Sequence, residues 1–143
     1  MATETAGRVA TLVDSDVLLD VLSVDPQWSS WSAQALEDAA DTGPLAINPI
    51  IFAEVSVRFT HIEDLDQAVP PSEFARLPLP WSAAFLAGKA FTSYRRRAGS
   101  SRSPLPDFYI GAHAAVSGLR LLTRDAARYR TYFPTVDVVA PAG

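Results

Sequence analysis

The sequence lacks cysteine entirely and contains only two histidines, His61 and His113, and a single lysine, Lys89. Without cysteine, the chain has no disulfide framework, no thiolate zinc site, no iron–sulfur cluster and no cysteine nucleophile. Two histidines are also too few for a histidine-rich metal site. Any metal site in this chain is therefore expected to consist mainly of oxygen ligands.

Long apolar runs are absent as well. Stretches such as residues 83–87 are far shorter than the ~20 residues that a membrane-spanning helix needs. Residues 1–7 include Glu4 and show no basic segment followed by an apolar run, so we expect no signal peptide and a cytoplasmic protein. The length of 143 residues, with 48% apolar and 20% charged residues, predicts a single globular domain over 1–143, with its core at about 9–140.

The net charge of −4 conceals a strong asymmetry along the chain. Residues 89–130 hold nine of the twelve basic residues and two acidic ones, a net of +7, whereas residues 1–88 carry a net of −10. Eleven of the twelve cations are arginine, whose forked guanidinium suits phosphate groups. An acidic average therefore does not exclude a polyanionic partner.

Short apolar segments alternate with helical patterns along the whole chain. Strands are predicted at 8–13, 45–47, 119–123 and 136–139, with a short edge strand at 74–79 because Pro78 cannot donate to a central one. Helical patterns lie between them, at 17–24, 30–40, 49–59, 62–69, 81–97, 106–117 and 125–132. The helix at 49–59 is expected to be largely buried, and Phe85 is expected to face inward from the helix at 81–97. Alternation of this kind predicts an α/β fold, a three-layer α/β/α arrangement around a short parallel sheet.

Four acidic residues occupy positions typical of a ligand site in such a fold. Asp14 directly follows the first predicted strand, and Asp125 comes two residues after the strand at 119–123. Asp107 lies in the first turn of a helix, and Glu54 lies mid-helix among apolar neighbours. Ligands of open parallel sheets bind beyond the carboxyl ends of the strands, and carboxylate oxygens are the ligands that Mg²⁺ prefers.

Each acid taken singly also has a structural interpretation. Asp14 and Asp125 can cap the helices that follow them, and the helix dipole favours Asp107 without any ligand. Glu54 can pair with Arg58, four residues further on. Asp16 and Asp20 are expected to be capping or solvated residues, and His113 to be packed in the interior.

Taken in order, the segments around the four acids resemble the PIN-domain nucleases, in particular the VapC-type toxins of bacterial toxin–antitoxin pairs. The resemblance covers about residues 9–140. Its most specific parts are the third and fourth of the following segments: Leu-Val-Asp14-Ser15-Asp16, Asn-Pro-Ile-Ile-Phe-Ala-Glu54-Val, Pro-Asp107-Phe-Tyr-Ile-Gly-Ala-His-Ala and Leu-Leu-Thr-Arg-Asp125.

The resemblance implies an endoribonuclease that depends on Mg²⁺ or Mn²⁺ and cleaves single-stranded RNA. Asp14 and Asp107 are expected to hold the cation, with Glu54 and Asp125 completing the acidic site and orienting or deprotonating the attacking water. The chain departs from the family pattern at two positions. Asp16 stands where Asn or Ser is common, and Arg128 stands where some relatives carry another acid.

The resemblance also implies partners, namely a small antitoxin protein and a second copy of the chain in a homodimer. Arg95, Arg96, Arg97 and Arg102 are candidates for guiding the RNA backbone to the acids. Their structural alternative is a solvated helix end whose cations are favoured by the dipole. Trp28 and Trp31 are expected in the core, although a place in an antitoxin groove is the alternative.

Two other functions remain open at this point. The segment Leu-Val-Asp14-Ser-Asp16 also resembles the first motif of haloacid-dehalogenase-type phosphatases, but these need a well-placed lysine, and Lys89 is the only one available. A PIN-like domain that binds RNA or a partner without catalysis is the non-enzymatic alternative. Retention of all four acids speaks against it.

Overall fold

The computed structural model describes residues 8–98 and 105–142, in which five short strands form one parallel sheet. The predicted α/β class is confirmed. The order across the sheet is β3-β2-β1-β4-β5, and each strand is two or three residues long. The strands are β1 (Thr11–Val13), β2 (Leu45–Ile47), β3 (Phe74–Arg76), β4 (Arg120–Leu122) and β5 (Val138–Val139).

Helices connect the strands, as parallel pairing requires. Two of them lie between β1 and β2, two between β2 and β3, two between β3 and β4, and one between β4 and β5. They are α1 (Ser15–Leu22), α2 (Ser29–Thr42), α3 (Pro49–Ser56), α4 (Ile62–Ala68), α5 (Trp81–Ala98), α6 (Leu105–Ser117) and α7 (Ala127–Tyr132).

Both faces of the sheet are covered. Successive side chains of a strand point to opposite faces, yet Thr11, Leu12 and Val13 of β1 are all fully buried. Helices therefore pack on both sides, which gives the predicted three layers. The core includes the central strands and side chains from the helices on both faces, among them Val17 of α1 and Ile110 of α6.

The strand order places the carboxyl ends of β1 and β4 side by side. From β1 the chain proceeds to β2 and β3 on one side, and then returns to β4 and β5 on the other. Val13 and Leu122 are register partners at the ends of these two strands. A reversal of strand order opens a crevice beyond the carboxyl ends, where open α/β sheets bind ligands.

The start of α3 is fixed by two helix-start signals. Asn48 is the N-cap, its side-chain oxygen accepting a hydrogen bond from the Ile51 amide at 2.9 Å, and Pro49 occupies the first turn. The side-chain nitrogen of Asn48 also lies 3.0 Å from Nδ1 of His113, which is buried on α6, as expected. This contact ties the helix that carries Glu54 to the helix that carries Asp107.

Several sequence expectations about burial are wrong in detail. Phe85 is expected to face inward from α5, but 69% of its surface is exposed because it lies opposite the buried residues Ala83 and Ala87. The helix at 49–59 is expected to be largely buried, yet only Ile51 and Val55 of α3 are. Trp28 and Trp31 pack edge to face with ring centroids 6.5 Å apart, but both are only half-buried. Within the described ranges, no helix combines the length and hydropathy needed to cross a membrane.

Candidate active site

Asp14 lies at the carboxyl end of β1 and is 5% exposed. One carboxylate oxygen accepts a hydrogen bond from the Ser15 amide at 2.8 Å, so Asp14 does cap α1. The other oxygen accepts from the hydroxyls of Thr123, at 2.8 Å, and Tyr129, at 3.0 Å. The hydrogen bond from Ser15 alone would cap the helix. The hydrogen bonds from Thr123 and Tyr129 connect the same carboxylate to the end of β4 and to helix α7.

Glu54 faces the same edge of the sheet from α3. The hydroxyl of Ser15 donates to Oε1 of Glu54 at 2.9 Å, which joins the start of α1 to the middle of α3. The alternative pairing with Arg58 is not among the ion pairs of the described residues. Glu54 is therefore directed to the site rather than along its own helix.

Asp107 lies in the first turn of α6 and forms an ion pair with Arg128 of α7. Both side chains are 31% exposed, so the pair is partly shielded from solvent. The Arg128 guanidinium also lies over the ring of Tyr94, 5.7 Å from its centroid. In the sequence, Arg128 is recognisable as a departure from the family pattern, but this contact with Asp107 is not predicted.

Asp125 is placed differently from the other three acids. Its side chain is exposed, and its amide donates to Oγ1 of Thr123 at 3.2 Å. The Thr123 hydroxyl in turn donates to Asp14, so a short chain of hydrogen bonds fixes the turn after β4 relative to Asp14. Asp125 raises the pKa of Asp107 electrostatically, which places it at the rim of the acidic group.

Burial and mutual repulsion raise the pKa values of the acids. Desolvation, followed by the charges of Asp16 and Asp107, raises the pKa of Asp14 to about 7 against the lowering effect of its two hydroxyl donors. Burial raises the pKa of Glu54, with Asp14 and Asp107 adding to the effect. Burial also raises the pKa of Asp107 despite the opposing charge of Arg128. The three carboxylates therefore lie near enough to one another to interact electrostatically.

Asp16 and Asp20 are engaged by Arg124. The Arg124 amide donates to the carboxylate of Asp16, whose pKa burial raises to about 6. The Arg124 guanidinium donates to both oxygens of Asp20, at 2.8 and 3.1 Å, and lies over the Trp28 ring. Asp20 is 3% exposed, so the expectation of a capping or solvated residue is wrong for it. This ion pair fastens the turn after β4 to α1.

The donor chemistry of the site fits a hard divalent cation. Asp14, Glu54 and Asp107 supply only carboxylate oxygens, and a cation would relieve the repulsion that raises their pKa values. In residues 8–98 and 105–142, however, no three acidic or histidine side chains converge closely enough to ligate one ion. The carboxylates are occupied instead by Ser15, Thr123, Tyr129 and Arg128. Binding an ion through all three carboxylates therefore requires their side chains to move closer together.

The predicted basic cluster is only partly described. Arg95, Arg96 and Arg97 are exposed in the last turn of α5, and Arg102 lies outside the described residues. The Arg97 guanidinium lies 5.5 Å from the ring centroid of Tyr132, three residues beyond Tyr129 on α7. The end of α5 is thus next to the helix that reaches Asp14 and Asp107.

A family model described as "PIN domain" matches residues 11–134. The chain belongs to the PIN-domain family. PIN domains are generally nucleases that hydrolyse phosphodiester bonds. No curated protein matches the sequence.

Solved structures similar to this PIN domain include several toxin–antitoxin complexes. VapBC2 from Rickettsia felis, bound to a promoter DNA fragment, superposes with a TM-score of 0.69 at 15% identity, covering 93% of this chain and 99% of that one. VapBC-1 from nontypeable Haemophilus influenzae gives a TM-score of 0.67 at 12% identity, covering 92% and 97%. A toxin–antitoxin complex from Klebsiella pneumoniae gives 0.61 at 25% identity, covering 90% and 95%. These likenesses support the fold assignment.

Proposed function

We propose that the protein is a Mg²⁺- or Mn²⁺-dependent endoribonuclease that cleaves single-stranded RNA. The observation that carries the proposal is the placement of Asp14, Glu54 and Asp107 around the crevice beyond β1 and β4, where Ser15 contacts both Asp14 and Glu54 and consecutive residues of α7 contact Asp14 and Asp107. These three residues would hold the cation. When bound, the cation would lower the pKa of a water molecule and neutralise charge on the scissile phosphate. Asp125, at the rim, would orient the attacking water or accept its proton.

Hydrogen-bond donors in the chain keep these acids in place. Thr123 and Tyr129 orient Asp14 from the far side of the crevice, and Ser15 orients Glu54. Burial and the nearby charge of Asp14 raise the pKa of the Tyr129 hydroxyl well above its usual value, so this group remains a donor at neutral pH. Tyr129 is therefore a positioning residue for the acid site.

We further propose that the protein is the toxin of a toxin–antitoxin pair, with an antitoxin protein as its partner and the cytoplasm as its location. The support is the resemblance to VapC-type toxins and the fold shared with the VapBC complexes. We also propose a homodimer, for which Trp81 and Phe85 on α5 offer apolar surface, being 91% and 69% exposed. Sedimentation of the parent and of Trp81→Ser at the same concentration tests the dimer, which the variant should weaken.

The decisive experiment is cleavage of single-stranded RNA by the purified chain, with Mg²⁺, with Mn²⁺ and with EDTA. We expect cleavage only with the metals, and none from Asp107→Asn. Asp66→Asn is the matched control because Asp66 makes its ion pair with Arg76, not with the acidic site. Full activity in EDTA would contradict the metal requirement. RNA binding without cleavage under all conditions would favour the catalytically inactive alternative.

The phosphatase alternative has little remaining support. The amine of Lys89 lies over the exposed ring of Phe85, 5.1 Å from its centroid, and the chain belongs to the PIN-domain family. Release of phosphate from a phosphomonoester without RNA cleavage would restore this alternative.

A further inference from the structure

Helix α7 brings two consecutive side chains to two different acids of the site. Tyr129 donates its hydroxyl to Asp14, and Arg128 donates a guanidinium N–H to Asp107. The hydrogen bond from Tyr129 orients Asp14, whose carboxylate is buried. The ion pair from Arg128 places a full positive charge on an acid that we assign to cation binding.

Aromatic rings fix the position of the Arg128 guanidinium. It lies over Tyr94, whose ring centroid is 5.4 Å from that of Phe108 and 5.9 Å from that of Tyr132. Phe108 is fully buried and follows Asp107 in the chain. The ring of Tyr94 beneath Arg128 is thus part of the packed interface between α5, α6 and α7. This packing holds the guanidinium in position to contact Asp107.

Arg124, the other arginine near the crevice, contacts Asp16 and Asp20 instead of the four acids of the site. Arg124 binds both oxygens of Asp20, and its amide binds Asp16. Among the described residues, Arg128 is the one whose ion pair engages a carboxylate of the set Asp14, Glu54, Asp107 and Asp125. The positive charge that offsets Asp107 is therefore supplied by this side chain.

We propose that Arg128 is an internal counter-cation that competes with the divalent ion for Asp107. The proposal rests on the proposed metal-dependent function. The guanidinium occupies one oxygen of Asp107, Oδ2, and thereby reduces what the carboxylate offers an ion, and its charge of +1 would repel a charge of +2 beside it. Arg128 thus lowers the affinity of the site for the metal and makes occupancy depend on the metal concentration.

The test is calorimetric titration of Mn²⁺ into the full-length chain after removal of metal with EDTA. Arg128→Gln should bind Mn²⁺ about fivefold more tightly than the parent, the size expected when one part-exposed ion pair is removed. Arg130→Gln is the control, since Arg130 is exposed on the same helix and its replacement removes the same charge. It should change the affinity by less than about twofold because screening weakens exposed charges.

A double substitution isolates the contact from general electrostatics. In an Asp107→Asn background, replacement of Arg128 should no longer tighten Mn²⁺ binding, because the competition acts through that carboxylate. Arg128→Lys keeps the charge and should stay within about twofold of the parent. Thermal melts of each variant in EDTA confirm that it is folded before titration.

Two results would overturn the proposal. Equal Mn²⁺ affinity in the parent and Arg128→Gln, or equal effects of Arg128→Gln and Arg130→Gln, would show that the ion pair does not compete with the metal. In either case, measurable Mn²⁺ binding by the parent would leave the proposed metal-dependent function standing. If neither the parent nor Arg128→Gln binds Mn²⁺, both the competition and the metal dependence are contradicted.

Discussion

Asp14 is a buried carboxylate whose hydrogen bonds offset only part of the cost of burying its charge. Its pKa is raised to about 7 in the folded chain, above the ordinary value of 3.8 that it takes when unfolded. Between these values the folded state holds a proton that the unfolded state has released. Ionised Asp14 therefore destabilises the metal-free fold increasingly as the pH rises from about 4 to about 7, and fully above that.

Asp14→Asn is thus expected to be more stable than the parent in EDTA at pH 8, by roughly 1–3 kcal/mol. The asparagine oxygen can still accept from Thr123 and Tyr129, but its nitrogen cannot accept from the Ser15 amide, so the gain is smaller than the pKa shift alone would give. The difference should shrink towards zero near pH 4. Urea melts of both proteins across this range measure it, and a difference independent of pH would contradict the cause assigned here.

Thr11, in the central strand, carries a fully buried hydroxyl that lacks a hydrogen-bond partner among the described residues. Thr11→Val has nearly the same shape and removes the unsatisfied group, so it should stabilise the fold by about 1 kcal/mol. Thermal melts of the variant decide the question, and a loss of stability would indicate an unrecognised partner for the hydroxyl.

At the scale of helices, the approach of α7 to α6 depends on Gly111. A Cβ atom at this position would collide with the ring of Phe133 and would be 3.0 Å from Cδ1 of Tyr129. Because Tyr129 holds Asp14, displacement of α7 would reach the site. We therefore expect Gly111→Ala to lose about 1–3 kcal/mol of stability and to reduce cleavage.

Gly88→Ala on α5 is the matched control for this prediction. A Cβ there has no atom within 4 Å, and alanine is favoured over glycine inside a helix by roughly 0.5–1 kcal/mol. It should stabilise the chain and leave cleavage unchanged. If both alanine variants behaved alike in thermal melts and RNA cleavage, close packing of α6 on α7 would not explain the requirement for glycine.

The end of α5 carries the proposed contact with the RNA backbone. Replacement of Arg95, Arg96 and Arg97 by glutamine should weaken RNA binding for all sequences and lower the slope of log K against log salt by about 0.7 for each phosphate that is no longer neutralised. Arg58→Gln, at an exposed position after α3, should leave the slope unchanged. An unaltered slope in the triple variant would reduce this cluster to a solvated helix end.

At the scale of the whole molecule, local sequence signals predict the strands and helices but not the contacts between distant segments. Asp14 is identifiable because it ends a β-branched apolar run, and Glu54 because a charge in an apolar helix needs a partner. The donors that hold Asp14 are not identifiable in this way, because Thr123 and Tyr129 lie 109 and 115 residues away. Thr123 belongs to the segment Leu-Leu-Thr-Arg-Asp125, but the segment does not indicate which acid the hydroxyl contacts, and nothing around Tyr129 marks it as a donor to an acid.

The failed expectations have physical reasons of their own. Phe85 is expected to face inward as a large apolar residue, but it stands two positions from each of the buried residues Ala83 and Ala87 and therefore lies on the opposite face of α5. Asp20 is expected to be capping or solvated, whereas its partner Arg124 comes from the turn after β4, 104 residues further along the chain. Arg128 is recognisable only as a departure from a pattern, and its contact with Asp107 becomes apparent only when α6 and α7 are packed.

The pairing of β1 with β4 has a consequence for synthesis of the chain. While the ribosome has not yet released residues 120–129, the central strand lacks one of its two neighbours, and Asp14 lacks both hydroxyl donors. Domains form only when their long-range partners are available, and chains grow at roughly 5–20 residues per second. A nascent chain is therefore expected to remain without nuclease activity until residues 120–129 have emerged, and fragment 1–118 should neither fold cooperatively nor cleave RNA.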